Sequence, residues 1–428
     1  MASYTFSEFL KKIFNKHNLG ILSIYSLGQI LVQIFNGITG IIIVRVLSMN
    51  ELAYYSIANV LQSSLSICAD SGLSIALLSL GSKYSQDNER LNGLMIQGFA
   101  IRKKLIYIAI ITTVPLFIVL IKSNGASFNL VYFCLIIVIA EWLYRLKTGI
   151  NLTYLKVTAQ IVKIRNTELI YSSLKFILIC ILLLAKINIY SILIASLIAS
   201  YFQFIYTKNV TEFDKSFTKI NKMDYTHMSK IIKSQFPYYL FYVYQGQIIY
   251  FIISYFLQIK TIAEFSALSR LAIFISIFGN IISNIIAPYF ARLSNKRDAI
   301  HLLALVNILY LTFSMALLFM VKLYPEYFLY VLGTKYNYLK NEFIMIVVYT
   351  LINGYIAIIL SMSNSKGWIE KTWLIIPLTL VTQASLALML NMTSLDQVII
   401  FNIISLFPTI IIYFYMIIKG FRRDFNFN

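Results

Sequence analysis

Several charged residues lie inside long apolar stretches of the sequence, where a charge is costly unless it is paired or hydrated. Lys175 lies near the middle of one such stretch, and Arg270 lies a short way into another. Two cations in apolar surroundings indicate a site that binds an anionic group. Each also has a purely structural alternative, which for Lys175 is an ion pair with Glu168, two turns earlier. For Arg270 the alternatives are snorkelling to the membrane surface and an ion pair with Glu264.

Acidic residues occur in similar positions and allow a different chemistry. Glu141 and Arg145 are one helical turn apart, so an intrahelical ion pair is expected, although an inward-facing Glu141 could take up a coupling proton. Asp70 lies deep in apolar sequence just before Gly72. It either closes a contact between helices or takes part in gating and coupling, and the structural role is favoured.

Two polar stripes complete the candidate site. The seventh apolar stretch carries hydroxyl and amide groups beside aromatic rings, a combination that suits sugar rings, at Tyr238, Tyr242, Gln245 and Tyr250. The first stretch repeats polar residues at three- to four-residue spacing, at Gln29, Gln33 and Asn36. Either stripe could line a cavity. The first few aromatic residues of the seventh stretch are also explained by an interfacial aromatic belt, and the stripe of the first stretch could equally hold helices together.

The elements that position these residues are transmembrane helices. Of the 428 residues, 59% are hydrophobic and only 12% are charged. Apolar runs of about 20 residues recur, which is the length that crosses a bilayer as a helix. The sequence therefore predicts an all-α polytopic membrane protein with about twelve helices. The expected spans are 19–44, 53–80, 100–121, 126–146, 166–185, 188–207, 234–257, 264–290, 300–321, 341–364, 372–391 and 396–418.

The formal charge of +19 reflects the loops and not a nucleic-acid partner. Most Lys and Arg residues fall in every second loop, with Arg102, Lys103 and Lys104 assigned to one of them, as the positive-inside rule requires. Both termini are therefore predicted to be cytoplasmic. The segments are an amphipathic start (1–18), an N-lobe (19–207), a hydrophilic linker (208–233), a C-lobe (234–418) and a tail (419–428). Similar segments at 53–61 and 263–271 favour a parallel repeat of two six-helix lobes around a central path.

No catalytic or metal-binding pattern is found. The sequence has no phosphate-binding loop, the three histidines are far apart, and the three cysteines lie inside apolar runs. We expect neither a cofactor nor a metal, and we expect transport rather than catalysis.

The turn between the first two spans carries a recognisable motif. Residues Arg45 to Tyr55 resemble the R-x-L-x-x-x-E-[FLY]-[GA]-x-Y turn of polysaccharide flippases, in the multidrug/oligosaccharidyl-lipid/polysaccharide exporter superfamily. Residues 70–73 resemble its D-x-G element, and residues 264–271 with Pro288 resemble its eighth-helix motif, with Ala263 as a mild departure. Wzx-type O-antigen flippases are the most similar branch.

This resemblance implies a V-shaped pair of lobes around a central cavity in a bacterial cytoplasmic (inner) membrane. It implies alternating access that moves an undecaprenyl-pyrophosphate-linked oligosaccharide, such as an O-antigen or capsule repeat unit. Membrane lipids and polysaccharide polymerase machinery are the implied partners. Arg45 and Glu51 are expected to have a gating or fold role, and Glu51 could also cap the second helix.

Three other functions stay open at this point. A drug/cation antiporter of the same superfamily should show acidic cavity residues, whereas the deep charges here include Lys175 and Arg270. A membrane O-antigen polymerase or ligase usually needs a large extracytoplasmic loop, and the largest candidate spans only about 322–340. A lipid II-type flippase would carry a similar lipid with another head group.

Overall fold

The computed structural model describes residues 16–84, 87–185, 187–211, 222–271, 286, 290, 293, 295–368 and 372–425, with side chains from residue 28 onward. Within these ranges the chain is helical and contains no strand. The helices are α1 (Lys16–Val46), α2 (Met49–Asp70), α3 (Leu73–Gly81), α4 (Asn88–Ser123), α5 (Phe128–Val157), α6 (Ile161–Leu182), α7 (Ile189–Val210), α8 (Lys222–Phe256), α9 (Lys296–Leu323), α10 (Pro325–Leu332), α11 (Lys340–Ser365), α12 (Ile375–Met389), α13 (Leu395–Ser405) and α14 (Phe407–Phe425).

The predicted polytopic membrane fold is confirmed. In the described residues, eight helical segments are long and apolar enough to cross a membrane, and the bent pair α2–α3 makes up to nine. The α6 and α8 helices are also long, but they are too polar to be counted among these eight. They are the helices that carry Lys175 and the tyrosine stripe. The predicted eighth span (264–290) lies largely outside the described residues, as does Pro288.

The chain divides into two compact units, residues 34–263 and residues 1–33 with 264–428. In the first unit, α5 packs on α7, α2 on α4, and α6 on α7. The α8 helix begins inside the stretch predicted as a linker and packs against α2 and α4 of the same unit. The division into lobes at 19–207 and 234–418 stays a prediction.

Polar contacts join α8 to other helices and loops of the first unit along the whole length of α8. Near its start, the Tyr84 hydroxyl donates to Asp224 Oδ1 at 3.1 Å. Near its middle, Gln247 Nε2 donates to Ser64 Oγ at 2.6 Å in a buried contact. Near its end, Asn124 Nδ2 donates to Ser254 Oγ at 2.7 Å. Hydrogen bonds between polar side chains are a general means of holding membrane helices together.

Aromatic side chains pack together at one end of the second unit. Trp368 is buried, donates from Nε1 to Asp424 Oδ2 at 2.7 Å, and packs on the Phe421 ring at a centroid distance of 5.0 Å. Deeper in the unit, the Tyr310 hydroxyl donates to the Leu351 carbonyl at 2.7 Å and joins α9 to α11. The last predicted span, 396–418, is built from two successive helices, α13 and α14.

The second span is broken where the D-x-G element occurs. Ser71 (φ 40°) and Gly72 (φ 86°) both adopt left-handed backbone, and α2 and α3 meet there at 45°. Left-handed backbone ends a right-handed helix, and glycine adopts it without the steric penalty of a Cβ. A Cβ on Gly72 would also lie 3.2 Å from Gln235 Cβ of α8.

A buried ion pair lies at this break. Arg102 Nη2 donates to Asp70 Oδ1 at 2.7 Å, Arg102 Nη1 donates to the Leu146 carbonyl at 3.0 Å, and Ser74 donates to Asp70. The Arg102 side chain lies on α4 and is 6% exposed, so its assignment to a loop is wrong, whereas the side of the membrane on which it lies stays a prediction. The structural contact expected for Asp70 is present, and its role in gating stays a prediction.

Replacing Gly72 with alanine should destabilise the protein by about 1–2 kcal/mol, because any Cβ is strained at this φ. Gly246→Ala is the matched control, since Gly246 lies within α8 and its Cβ would meet nothing within 4 Å. That variant should be neutral or slightly more stable. The measurement is thermal unfolding of both purified variants in one detergent. Equal midpoints would show that the break does not depend on glycine.

Removing one member of the Asp70–Arg102 pair should cost more than removing both. We expect Arg102→Leu to lose about 2–3 kcal/mol, less than a fully buried pair would lose because the Asp70 side chain is 29% exposed. The double variant Asp70→Asn, Arg102→Leu should recover part of that loss, because no unpaired charge is left. A double-mutant cycle on unfolding free energies measures the coupling. Additive effects would contradict the pairing.

Candidate functional site

The candidate site is a group of charged and aromatic side chains in the first unit, where α5, α6 and α7 meet. We call Glu141, Arg145, Tyr171 and Lys175 the cationic cluster. Helical spacing places each pair on one face, since Glu141 precedes Arg145 by four residues on α5 and Tyr171 precedes Lys175 by four on α6. Two positive charges and one negative charge leave the cluster cationic.

Glu141 is the buried anchor of the cluster. Its side chain is 2% exposed, and Oε1 accepts from Arg145 at 2.9–3.0 Å and from Ser200 Oγ of α7 at 3.2 Å. The expected intrahelical ion pair is therefore present. A buried carboxylate without partners would be strongly unfavourable, and these contacts supply the partners of Glu141. Its role as a proton carrier stays a prediction.

Arg145 is shared between this carboxylate and an aromatic face. Its guanidinium carbon lies 4.3 Å from the centroid of the Tyr171 ring, which is a cation–π geometry. The Arg145 side chain as a whole is 35% exposed, in contrast to Glu141. Arginine presents a planar fork of donors that matches phosphate oxygens.

Lys175 extends the cluster by one turn of α6. Its Nζ lies 3.5 Å from the Tyr171 hydroxyl and 5.8 Å from the centre of that ring. Lys175 also lies near Glu141, near the like charge of Arg145 and near Tyr55 of α2. The exposed apolar face of α6 is elsewhere on the helix, at Ile177 and Ile181. The ammonium group therefore does not point along the lipid-facing side of α6.

The tyrosine stripe on α8 is partly exposed, as a ligand surface requires. The rings of Tyr238 and Tyr242 are nearly parallel, with centroids 6.5 Å apart, and Tyr242 is 53% exposed. Gln245 and Tyr250 are half-buried on the same helix. Gln247, by contrast, is used in packing against Ser64.

The structure distributes the remaining predicted residues over several places. Gln29 and Gln33 are half-buried on α1, and Asn36 is exposed. Arg45 is exposed at the end of α1, and Arg270 is half-buried. Glu51 forms a capping box at the start of α2, where Ser48 and Glu51 each accept a hydrogen bond from the other's backbone N–H. That suggested cap is confirmed, whereas a gating role for Arg45 or Glu51 stays a prediction.

The 324–339 loop of the second unit is folded into short helical pieces. Tyr336 is fully buried, and the Tyr338 hydroxyl donates to Glu264. Glu326 accepts from Lys340, and this hydrogen bond holds the pKa of the Glu326 carboxyl below its ordinary value. These residues are engaged in holding the loop, which gives no separate support to an enzyme site there.

Three residues in or beside the cationic cluster were not predicted from the sequence, namely Tyr171, Ser200 and Tyr55. Tyr171 could have been found, because it precedes Lys175 by one turn and an aromatic residue there can stack on a cation. Ser200 and Tyr55 are far from the cluster in sequence and come from other helices, and hydropathy alone does not reveal how a helix is rotated.

Comparison with solved structures shows that the chain has a known fold. No family model matches the sequence, and no curated protein matches it. Among solved structures, an inward-facing multidrug resistance MATE family transporter of the MOP superfamily superposes with a TM-score of 0.73 at 13% identity, covering 91% of this chain and 94% of that one. The lipid II flippase MurJ, in an inward closed conformation, gives 0.69 at 15% identity, covering 94% and 89%. The eukaryotic MATE transporter AtDTX14 gives 0.65 at 12% identity, covering 95% and 98%. The chain is a multi-pass membrane protein with the fold shared by these transporters and this flippase.

Proposed function

We propose that this protein is a flippase that moves an undecaprenyl-pyrophosphate-linked oligosaccharide, an O-antigen or capsule repeat unit, across a bacterial cytoplasmic membrane. Transport proceeds by alternating access between lobes at 19–207 and 234–418, with both termini in the cytoplasm. The observation that carries the proposal is the cationic cluster, which lies in the first unit away from the exposed apolar face of α6. The similarity to a lipid II flippase supports a lipid-linked substrate.

The charges of the cluster fit the head group of such a lipid. Glu141 balances one of the two cations, so about one positive charge remains for a ligand. A pyrophosphate is anionic and rich in acceptor oxygens, which Arg145 and Lys175 can both contact. The partly exposed tyrosines and Gln245 of α8 supply aromatic faces and amide groups for the sugars.

The energy for transport is proposed to come from an ion gradient or from consumption of the product. The sequence has no phosphate-binding loop for ATP. Glu141, which accepts from Arg145 and Ser200, is proposed as the residue that takes up a coupling proton. Protonation would release Arg145 from its ion pair and increase the positive charge available to the ligand.

A drug/cation antiporter is the second candidate, because two of the similar structures are MATE transporters. Such a protein would need a net acidic site for organic cations. The residues described in the first unit instead pair Asp70 with Arg102 and Glu141 with Arg145, and leave Lys175 as an additional cation. The charge at the site therefore favours the anionic lipid.

We expect Lys175→Ala to reduce surface polysaccharide at least roughly tenfold in a strain that lacks its own flippase, because a charge-assisted contact contributes about 1.5–3 kcal/mol. Lys175→Arg should retain part of the activity. Lys147→Ala is the control, since it removes the same charge from α5 where the side chain contacts Tyr144 and Phe204 instead. The measurement is polysaccharide per unit of membrane-inserted protein.

Two results would contradict the proposal. One is normal polysaccharide from Lys175→Ala at equal protein level. The other is export of organic cations by the wild type that Glu141→Gln abolishes while polysaccharide stays unchanged, which would identify the antiporter.

A further inference from the structure

The second helix carries a polar stripe that the cationic cluster does not include. Asn59, Gln62, Ser63 and Ser66 follow one another at helical spacing and are half-buried or exposed. The opposite face of α2, with Leu61 and the residues around it, is fully buried in the first unit. The α2 helix therefore has a buried face that packs inside the first unit and, on its other side, a more exposed polar face.

Within the part of the chain that the structure describes, the hydrogen bonds of this stripe stay inside α2. Asn59 Nδ2 donates to the Tyr55 carbonyl at 3.0 Å, and Ser66 Oγ donates to the Gln62 carbonyl at 2.8 Å. Ser63 Oγ likewise donates to a carbonyl of its own helix. The hydroxyl and amide oxygens are left with lone pairs that can accept from a ligand. The neighbouring Ser64, on the buried face, is the residue that bonds to α8.

Gln62 points to an occupant of the stripe. Its Nε2 is enclosed and makes no hydrogen bond to any residue that the structure describes. An enclosed amide without a partner is unfavourable, so such groups are usually satisfied by water or by a ligand. Polar side chains at this depth are likewise disfavoured against lipid and are expected along a hydrated path.

The stripe lies along α2 between the cationic cluster and the Asp70–Arg102 ion pair. At one end, Tyr55, one turn before Asn59, lies near Lys175 of the cationic cluster. At the other end, Asp70 is paired with Arg102 at the helix break. Between them, the stripe from residue 59 to residue 66 spans about 10 Å at 1.5 Å per residue. It has no formal charge, in contrast to both ends.

We propose that this stripe binds the neutral, hydroxyl-rich sugar portion of the substrate while the cationic cluster holds its pyrophosphate. This inference rests on the proposed function and assigns the sugar to α2. Asn, Gln and Ser side chains offer both donors and acceptors without charge, which matches sugar hydroxyls. The enclosed Gln62 amide donates to one of these hydroxyls.

The first experiment measures whether the stripe is wet. Single cysteines are placed at Ser63 and Ile111 in a protein whose Cys68, Cys134 and Cys180 are replaced by alanine. Ile111 is the control because it is 72% exposed on the apolar part of α4. A membrane-impermeant maleimide should label Ser63→Cys and not Ile111→Cys, because thiolates form in water and not in lipid. Absence of labelling at Ser63→Cys would overturn the proposal.

The second experiment tests for the sugar with two defined lipids. Undecaprenyl pyrophosphate carrying a trisaccharide should protect Ser63→Cys from the maleimide, and sugar-free undecaprenyl pyrophosphate should not. Gln62→Leu should weaken binding of the trisaccharide lipid roughly tenfold, the factor for about 1.4 kcal/mol, and leave the sugar-free lipid unchanged. Equal protection by both lipids, or protection by neither, would overturn the assignment to sugar.

These outcomes are separate from failure of the proposed function. If Lys175→Ala abolishes polysaccharide but Ser63→Cys is never protected, the flippase stands and the stripe does not bind sugar. If the protein binds neither lipid and Lys175→Ala is fully active, the flippase itself is wrong.

Discussion

A charge placed within the depth of a membrane must have a partner or water, and this constraint shapes the first unit. Glu141 is almost completely buried, and Arg145 and Ser200 converge on one of its oxygens. Asp70 and Arg102 satisfy each other at the break in the second span. Lys175 is the second cation of the cationic cluster, and Glu141 is its one carboxylate, so one positive charge is not balanced within the cluster. The cationic cluster thus carries a net positive charge, which is the basis for proposing an anionic lipid head group as its ligand.

The same constraint explains why some of the molecule could be predicted from sequence. Apolar run length is set by bilayer thickness, so the predicted spans 300–321 and 341–364 agree with α9 and α11 to within four residues at each end. The α4 and α5 helices extend well beyond the predicted spans 100–121 and 126–146, because their polar ends are helical too. The Glu141–Arg145 pair follows from four-residue spacing within one helix. The D-x-G element suggested a structural role, which matches the left-handed backbone of Ser71 and Gly72.

The features that the sequence did not predict share one physical cause, which is the rotation of each helix about its own axis. The apolar run predicts a third span at 100–121 and leaves Arg102, near its start, to the adjoining loop, whereas α4 begins at Asn88 and buries Arg102 against α2 and α5. Hydropathy measures depth, but it does not measure rotation about the helix axis. The contacts of Gln247 with Ser64 and of Ser200 with Glu141 depend on that rotation, and so does the polar stripe of α2. The V-shaped arrangement and the central cavity implied by the family resemblance stay predictions.

The most direct measurement is equilibrium binding of fluorescent undecaprenyl pyrophosphate to the purified protein at low and high salt. We expect saturable binding that is weaker at high salt and that Arg145→Ala or Lys175→Ala weakens at least roughly tenfold, whereas Lys147→Ala leaves it unchanged. Binding that is equally tight in all three variants, or that an organic cation displaces better than inorganic pyrophosphate, would contradict it.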